Sequence, residues 1–321
     1  MKAISVEQHG GVEALHYGDV PVPRPEAGQV LVTIAYSGVN FIDVYHRIGA
    51  YKIPLPTVIG MEGAGTVEEV GEGVTGFKSG DRVAYAMSRG SYAEYAAVPA
   101  KLLARVPETI DLSQAAAIML QGMTAHYLTH STFPLEPGQT ALVHAAAGGT
   151  GRLIVQMAKL RGARVIGTAG SPAKAELARH AGADDVILYQ EQDFVTEVRR
   201  LTGGKGVDVV YDGVGQTTFL KSLDCIRPRG LLASFGQASG PVPPLDTLLL
   251  APKGALFVTR TSLNYYISPE EIAWRSGDLF RWLAEKKLDL RIDHTYPLSD
   301  AAQAHQYLEA RKSTGKLLLK I

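Results

Sequence analysis

Residues 137–159, PGQTALVHAAAGGTGRLIVQMAK, carry an apolar run into three clustered glycines and then into a helix-period pattern, an arrangement suited to holding a phosphate. Leu142, Val143 and the alanines after them read as a buried strand, while Ile154, Val155, Ala158 and Leu160 recur at helical spacing. Gly148, Gly149, Thr150 and Gly151 lie at the bend. A strand turning sharply into a helix aims free backbone N–H groups and the positive dipole end at one point, and a pyrophosphate satisfies both. Glycine is required where a Cβ would block the approach. The strict dinucleotide fingerprint has glycine at its first, third and sixth places; here Ala146 holds the first, so the motif is a variant. Taken alone, such a turn is equally a plain tight connection, and the flanking chain must decide.

About 20 residues past a dinucleotide turn, at the end of the next strand, an NAD enzyme carries a carboxylate for the ribose 2′-hydroxyl. The chain has none there; it reads Thr168, Ala169, Gly170, Ser171, Pro172, Ala173, Lys174. A hydroxyl and a cation suit the 2′-phosphate of NADP. The competing reading of Lys174 is a solvated cation, although a first helical turn normally prefers acidic residues. Tyr189, at the following strand end, either flanks the adenine or simply packs.

These residues need a parallel sheet beneath them. Between residues 140 and 263 apolar strands at 141–144, 164–168, 185–188, 207–211 and 231–234 alternate with helices at 151–160, 172–181, 194–201 and 217–226. That is a doubly wound α/β fold with its ligand crevice at the strand carboxyl ends. Before it, to about residue 120, short strands with Gly and Pro punctuation (2–7, 30–36, 63–70, 82–86, 92–98) predict a mainly β domain. After it come an amphipathic helix with Ile272, Trp274, Leu279 and Leu283, a strand near 294–296, a helix at 300–311 and a strand at 316–321. With no strand partner of their own, they are expected to return to the first domain. The expected division is therefore 1–124 with 264–321 for a discontinuous substrate domain and 125–263 for the inserted nucleotide domain, with the active site in the cleft between them.

The composition excludes several classes. With 321 residues, 46% hydrophobic and 20% charged, the chain can bury more than one domain's core. Lys+Arg and Asp+Glu both number 32, which leaves no electrostatic footprint for nucleic acid or an anionic membrane. The single cysteine, Cys225, excludes an intramolecular disulfide and a multi-cysteine metal site, and fits a reducing compartment. No run approaches a membrane span, and a cytoplasmic enzyme is the expectation.

Several blocks in order give the chain a family resemblance. Gly38-Val39-Asn40-Phe41-Ile42-Asp43, the segment 138–159 with its Ala-Ala-Gly-Gly-x-Gly core, Tyr211-Asp212-Gly213-Val214-Gly215, Ser234-Phe235-Gly236 and Leu308-Glu309-Ala310-Arg311 all stand in it. From end to end the chain resembles the zeta-crystallin type of quinone oxidoreductase, within the medium-chain dehydrogenase/reductase superfamily. The resemblance implies a Rossmann sheet inserted in a GroES-like catalytic domain, NADP(H) as cofactor and a homodimer. The zinc-dependent branch of the superfamily has a Cys after Gly-Val and a His before Glu-Gly-Ala-Gly; here those places hold Asn40 and Met61, and neither replaces thiolate or imidazole. No metal role is expected. Hydride addition to an electron-poor conjugated acceptor can proceed with hydrogen-bond help alone, so the expected reaction is NADPH-dependent reduction of a quinone or related conjugated carbonyl.

The resemblance also implies the site. Asn40, Tyr45 and Tyr51 are expected to serve the acceptor, Asn40 by a hydrogen bond and the tyrosines by stacking or donation, with Gln121 beside the substrate. Phe41, Ile42, Asp43, Thr124, Tyr127, Gly148, Gly149, Thr150, Gly170, Ser171, Lys174, Tyr189, Val214, Phe235, Gly236, Thr261, Leu263 and Arg311 are expected around the cofactor. Asp43 has a second reading as the cap of the helix that follows, Tyr51 as surface packing, and Arg311 as a helix-end cation. Two rival functions stand beside the main one: a reductase of enones, enals or enoyl thioesters on the same scaffold, and a nucleotide-regulated RNA-binding or structural protein, which the balanced charge disfavours.

Overall fold

The computed structural model describes all 321 residues. Its helices are α1 (Phe41–Arg47), α2 (Leu112–Tyr127), α3 (Gly149–Leu160), α4 (Pro172–His180), α5 (Phe194–Leu201), α6 (Phe219–Ser222), α7 (Pro269–Ala284) and α8 (Ala301–Glu309). The chain divides into two compact units, Met1–Met123 with Asn264–Ile321, and Thr124–Leu263.

The second unit is built on a six-stranded sheet in which every neighbouring pair is parallel. In spatial order its strands are Asp185–Leu188, Arg164–Ala169, Thr140–Val143, Val207–Asp212, Ile226–Ser234 and Phe257–Arg260. Numbered along the chain within this sheet the order is 3-2-1-4-5-6, so the direction of winding reverses between Thr140–Val143 and Val207–Asp212. The helix-facing side chains of these strands, among them Leu142, Ile166, Val210 and Leu232, are fully buried and knit one core with Phe194, Val198 and Phe219. The last strand, Phe257–Arg260, escapes the sequence pattern because it is an edge: Phe257 is exposed, and the continuous apolar run of a buried strand is missing. The helix expected at 217–226 is shorter, α6 followed by a 3-10 turn at Leu223–Cys225.

The first unit carries a three-stranded sheet and a mixed seven-stranded sheet. Lys2–Val6 lies between His16–Asp19 and Thr57–Val58 in the smaller one. In the larger one the long strand Gln29–Val39 pairs with Glu62–Val70 and Tyr95–Pro99, and also with the carboxyl-terminal strand Lys316–Lys320. Leu317 opposes Val39 and Leu318 opposes Gly38, so the last strand is delivered beside the segment that opens α1. Within this mainly β unit the sequence pattern did not reveal α2, whose Ala115, Ala116, Ala117 and Ile118 are all fully buried. A helix apolar on nearly all sides has no amphipathic stripe to reveal it.

Candidate active site

The glycine turn sits at the carboxyl end of the first strand of the parallel sheet, at the switch point. Gly148, extended at φ −75° and ψ 167°, begins α3, and no side chain caps that helix or places an acid in its first turn. Its N-terminal N–H groups and dipole are therefore directed to whatever binds there. Two close approaches shape the cradle. A Cβ on Gly151 would run into the Ala145 carbonyl, so strand end and helix start pack at backbone distance. Ala146 is fully buried at the variant first place of the fingerprint, and a Cβ on Gly167 of the adjacent strand would come within 2.8 Å of the Ala146 methyl. The glycine missing from the turn thus reappears on its neighbour. Ala145 alone adopts a left-handed φ, 52°, at the bend, a conformation unusual for alanine.

At the end of the second strand Ser171 is the N-cap of α4, accepting from the Lys174 N–H at 3.3 Å, with Pro172 in the first turn. Lys174 is partly exposed on that turn, which contains no carboxylate. The Tyr189 hydroxyl lies beside Gly170, where a Cβ would come within 2.6 Å of it. Across the switch point, the buried Asp212 accepts from the Val214 and Gly215 N–H groups at 2.8 and 3.0 Å and from the Thr218 hydroxyl. It thereby shapes the loop bearing Val214. Phe235 and Gly236 close on the same loop, the Phe235 ring filling the space a Cβ on Gly213 would need. The Tyr127 and Thr261 hydroxyls meet at 3.0 Å, and Leu263 is buried two residues on. Gly148, Gly149, Thr150, Gly170, Ser171, Lys174, Tyr189, Val214, Phe235 and Gly236 thus all stand at carboxyl ends of this sheet.

In the first unit the segment after Gly38-Val39 enters a buried polar network. Asn40 precedes α1, and its backbone N–H donates to Asp43 Oδ2 at 2.8 Å, which gives Asp43 the capping role. Tyr92 donates to the same oxygen at 3.1 Å. Arg47 can only donate, so His305 Nδ1 must accept from it and His305 Nε2–H must donate to the Tyr92 oxygen. Arg47 is closed off on the other side by both oxygens of Glu309. Burial pushes the Asp43 carboxyl up to about 7 and holds the His305 imidazole down at about 3. Asp43 Oδ1 is buried without a partner.

The Asn40 amide is engaged at both ends. Its Nδ2 donates to Glu62 Oε2 at 2.9 Å and to the Gly38 carbonyl at 3.3 Å, while its Oδ1 accepts from Lys316 Nζ at 2.7 Å. Both donors are therefore spent inside the protein, and the expected hydrogen bond from Asn40 to an acceptor oxygen is corrected on that point. Nearby, the Tyr45 and Tyr51 rings meet edge to face with centroids 5.1 Å apart, and Phe41 lies 6.1 Å from Tyr45. Ile42 is half-buried on the same first turn. On α2, Gln121 has a buried amide oxygen with no partner, and Thr124 is buried three residues on. Arg311 follows α8 in the first unit, exposed and left-handed at φ 56°.

Sequence reasoning missed Glu62, Lys316, Tyr92, His305 and Asp212 as site-shaping residues. Glu62 had a signal, standing directly after Met61 in the block compared with the zinc branch. Lys316 and His305 had none, since their partners lie more than 200 residues away.

Two family models match the chain: an alcohol dehydrogenase GroES-like domain over residues 26–108 and a zinc-binding dehydrogenase over residues 149–274. A quinone oxidoreductase of Pseudomonas aeruginosa is 45% identical, spanning 99% of each chain. A 2-haloacrylate reductase of a Burkholderia species is 43% identical over 99% of this chain and 98% of its own. The crystal structure of the Escherichia coli quinone oxidoreductase complexed with NADPH superimposes with a TM-score of 0.98 at 42% identity, covering both chains completely. The residues here do not fit the zinc of the second family model's description. Asn40 is bonded to Glu62 and Lys316, and a buried ammonium already supplies the positive charge among them. Glycine turn, reversed strand order, GroES-like unit and full-length similarity agree, and the chain belongs to the quinone oxidoreductases of the medium-chain dehydrogenase/reductase superfamily.

Proposed function

We propose that the chain reduces quinones with NADPH, taking a hydride from the nicotinamide and a proton from solvent to give the hydroquinone and NADP+. The observation that carries the cofactor reading is the uncapped start of α3 at the switch point, with Ser171 and Lys174 on the next strand end in place of a carboxylate. The N–H groups of Gly149 and Thr150 hold the pyrophosphate, and the Ser171 hydroxyl, whose oxygen accepts within the cap, keeps its proton to donate to the 2′-phosphate. Lys174 adds charge that NADH has no group to answer. Tyr189 packs beside the adenine, and the loops of Val214, Phe235–Gly236 and Thr261–Leu263 approach the nicotinamide end.

For the acceptor, the half-buried Tyr51 ring, backed edge to face by the buried Tyr45, offers a flat apolar surface and Gln121 offers a desolvated amide. Neutral net charge suits an uncharged flat ring. A second reading, reduction of a conjugated carbonyl or acid, has one specific support in the 2-haloacrylate reductase. The chain acts as a homodimer in the cytoplasm: the outer edge of Phe257–Arg260 is unpaired with Phe257 62% exposed, a surface that a second copy would cover, and the lone cysteine is buried and reduced.

The test is an acceptor panel of benzoquinone, naphthoquinone and 2-enals with stoichiometric NADPH, repeated with NADH and with a chelator. Quinone turnover that prefers NADPH and ignores the chelator is expected. Preference for NADH, or loss of turnover on chelation, contradicts the reading, and turnover of 2-enals alone selects the second one.

A further inference from the structure

Glu62 and Lys316 form an ion pair with no solvent exposure on either side chain. Such a pair is costly to bury unless its remaining polar capacity is met, and an apolar pair of similar volume often stabilises a core equally well. Here the capacity is met by two particular segments. Glu62 Oε2 accepts from Lys316 and from Asn40 Nδ2, and Glu62 Oε1 accepts the backbone N–H of Leu120 on α2 at 2.5 Å. Lys316 also donates to Asn40 Oδ1. The long central strand makes room for this: a Cβ on Gly38 would collide with the Glu62 carboxylate and the Lys316 stem.

What an apolar pair could not supply is direction. With an anion at Nδ2 and a cation at Oδ1, the Asn40 amide has one orientation; flipped, it would set donor against ammonium and oxygen against carboxylate. The same carboxylate draws in α2 one residue before Gln121, whose unpartnered amide oxygen is the buried acceptor left for a ligand.

We propose that Glu62 and Lys316 are positioning residues of the reductase, locking the Asn40 amide and the Leu120–Gln121 turn of α2 so that the segments flanking the acceptor are held in one geometry. This rests on the reductase reading, and its test separates the two.

Glu62→Gln or Lys316→Met alone leaves one buried charge unpaired and should lower the melting temperature and kcat together. In the double variant Glu62→Gln/Lys316→Met the charges are removed together, so the melting temperature is expected to return close to wild type, while kcat for benzoquinone stays down about tenfold and KM for NADPH moves less than about twofold. A purely structural pair would recover kcat together with stability, and that result overturns the proposal. Adding Asn40→Ala should cost little more in the double variant than the double variant alone; fully additive losses count against coupling. A readout that needs no variant comes from the wild-type protein labelled with 15N-asparagine, because the chain has only two asparagines, Asn40 and the exposed Asn264. The Asn40 side-chain amide protons should exchange with solvent at least about 100-fold more slowly than those of Asn264. Equal rates overturn the lock, even where the double variant does not fold. Absence of any quinone turnover by the wild type would sink the reductase reading instead, leaving the exchange rates to judge the lock.

Discussion

The nucleotide end of the second unit and the polar network of the first are built by opposite means. At the glycine turn the working groups are backbone N–H donors, and the side chains matter by being absent: Gly151 and Gly167 leave room, and nothing caps α3. Around Asn40 the working groups are side chains, most of them buried and several charged, joined across hundreds of residues. Filling space should therefore disable the first region, whereas removing a charge should disable the second. Ligand binding and folding stability are expected to separate along the same line.

The largest effect is expected from filling the cradle. Gly151→Val places a side chain against the Ala145 carbonyl, so the turn must open and the α3 N–H groups swing away from the pyrophosphate. NADPH affinity should fall by at least about 100-fold, or about 2.7 kcal/mol, read by fluorescence titration. Unchanged affinity would show that the backbone approach is not what binds. Next comes Glu309→Ala, which leaves the buried Arg47 guanidinium without its carboxylate. Because Glu309 is itself partly exposed, a loss of about 2 kcal/mol in denaturant unfolding is expected, with NADPH affinity within about twofold. If the affinity falls with the stability, the two regions are not separable as described.

Legibility divides the same way. The parallel sheet, the glycine turn and the start of α4 near Pro172 were readable because each is local: strand and helix periods differ, and glycine and proline mark the bends. The long helix α2 was not, since it is buried on most sides and shows no stripe. Asn40 stood out by its motif, but the hydrogen-bond partners of its amide did not. The two groups that consume its amide come from Glu62 on a neighbouring strand and Lys316 near the chain end, and no spacing rule connects them. Ala146 shows a milder form: its fault in the fingerprint is resolved by Gly167, on another strand.

The network should also write its signature on the pH dependence of stability. Asp43, raised by burial from 3.8 to about 7, keeps its proton in the fold where the unfolded chain has lost it. Its contribution is thus complete below about pH 4 and is lost as pH rises toward 7. His305 and His46, lowered from 6.5 to about 3 and about 4, work the other way: their contributions are present above 6.5 and lost on acidification. In wild type the carboxyl offsets one histidine between about pH 4 and 6.5. Removing it with Asp43→Asn should make stability fall more steeply on acidification over that window, by about 1.4 kcal/mol per pH unit. Parallel unfolding curves for the two proteins would mean that Asp43 titrates normally and is not desolvated by this network.

The smallest effect sharpens the contrast most, because it asks whether any side chain at the nucleotide end does more than shape the backbone. Ser171→Ala removes the cap of α4, costing about 1 kcal/mol of stability regardless of cofactor. If Ser171 only caps, affinities for NADPH and NADH should weaken together, as the helix start frays under both. If its hydroxyl proton also reaches the 2′-phosphate, NADPH should lose several-fold more than NADH, and Lys174→Glu should widen that gap by replacing attraction with repulsion. High salt separates the two contributions: screening should shrink the Lys174→Glu discrimination and leave the capping loss of Ser171→Ala unchanged. A specificity ratio indifferent to both substitutions would return the nucleotide end to backbone alone and require the preference for NADPH to come from elsewhere in the chain.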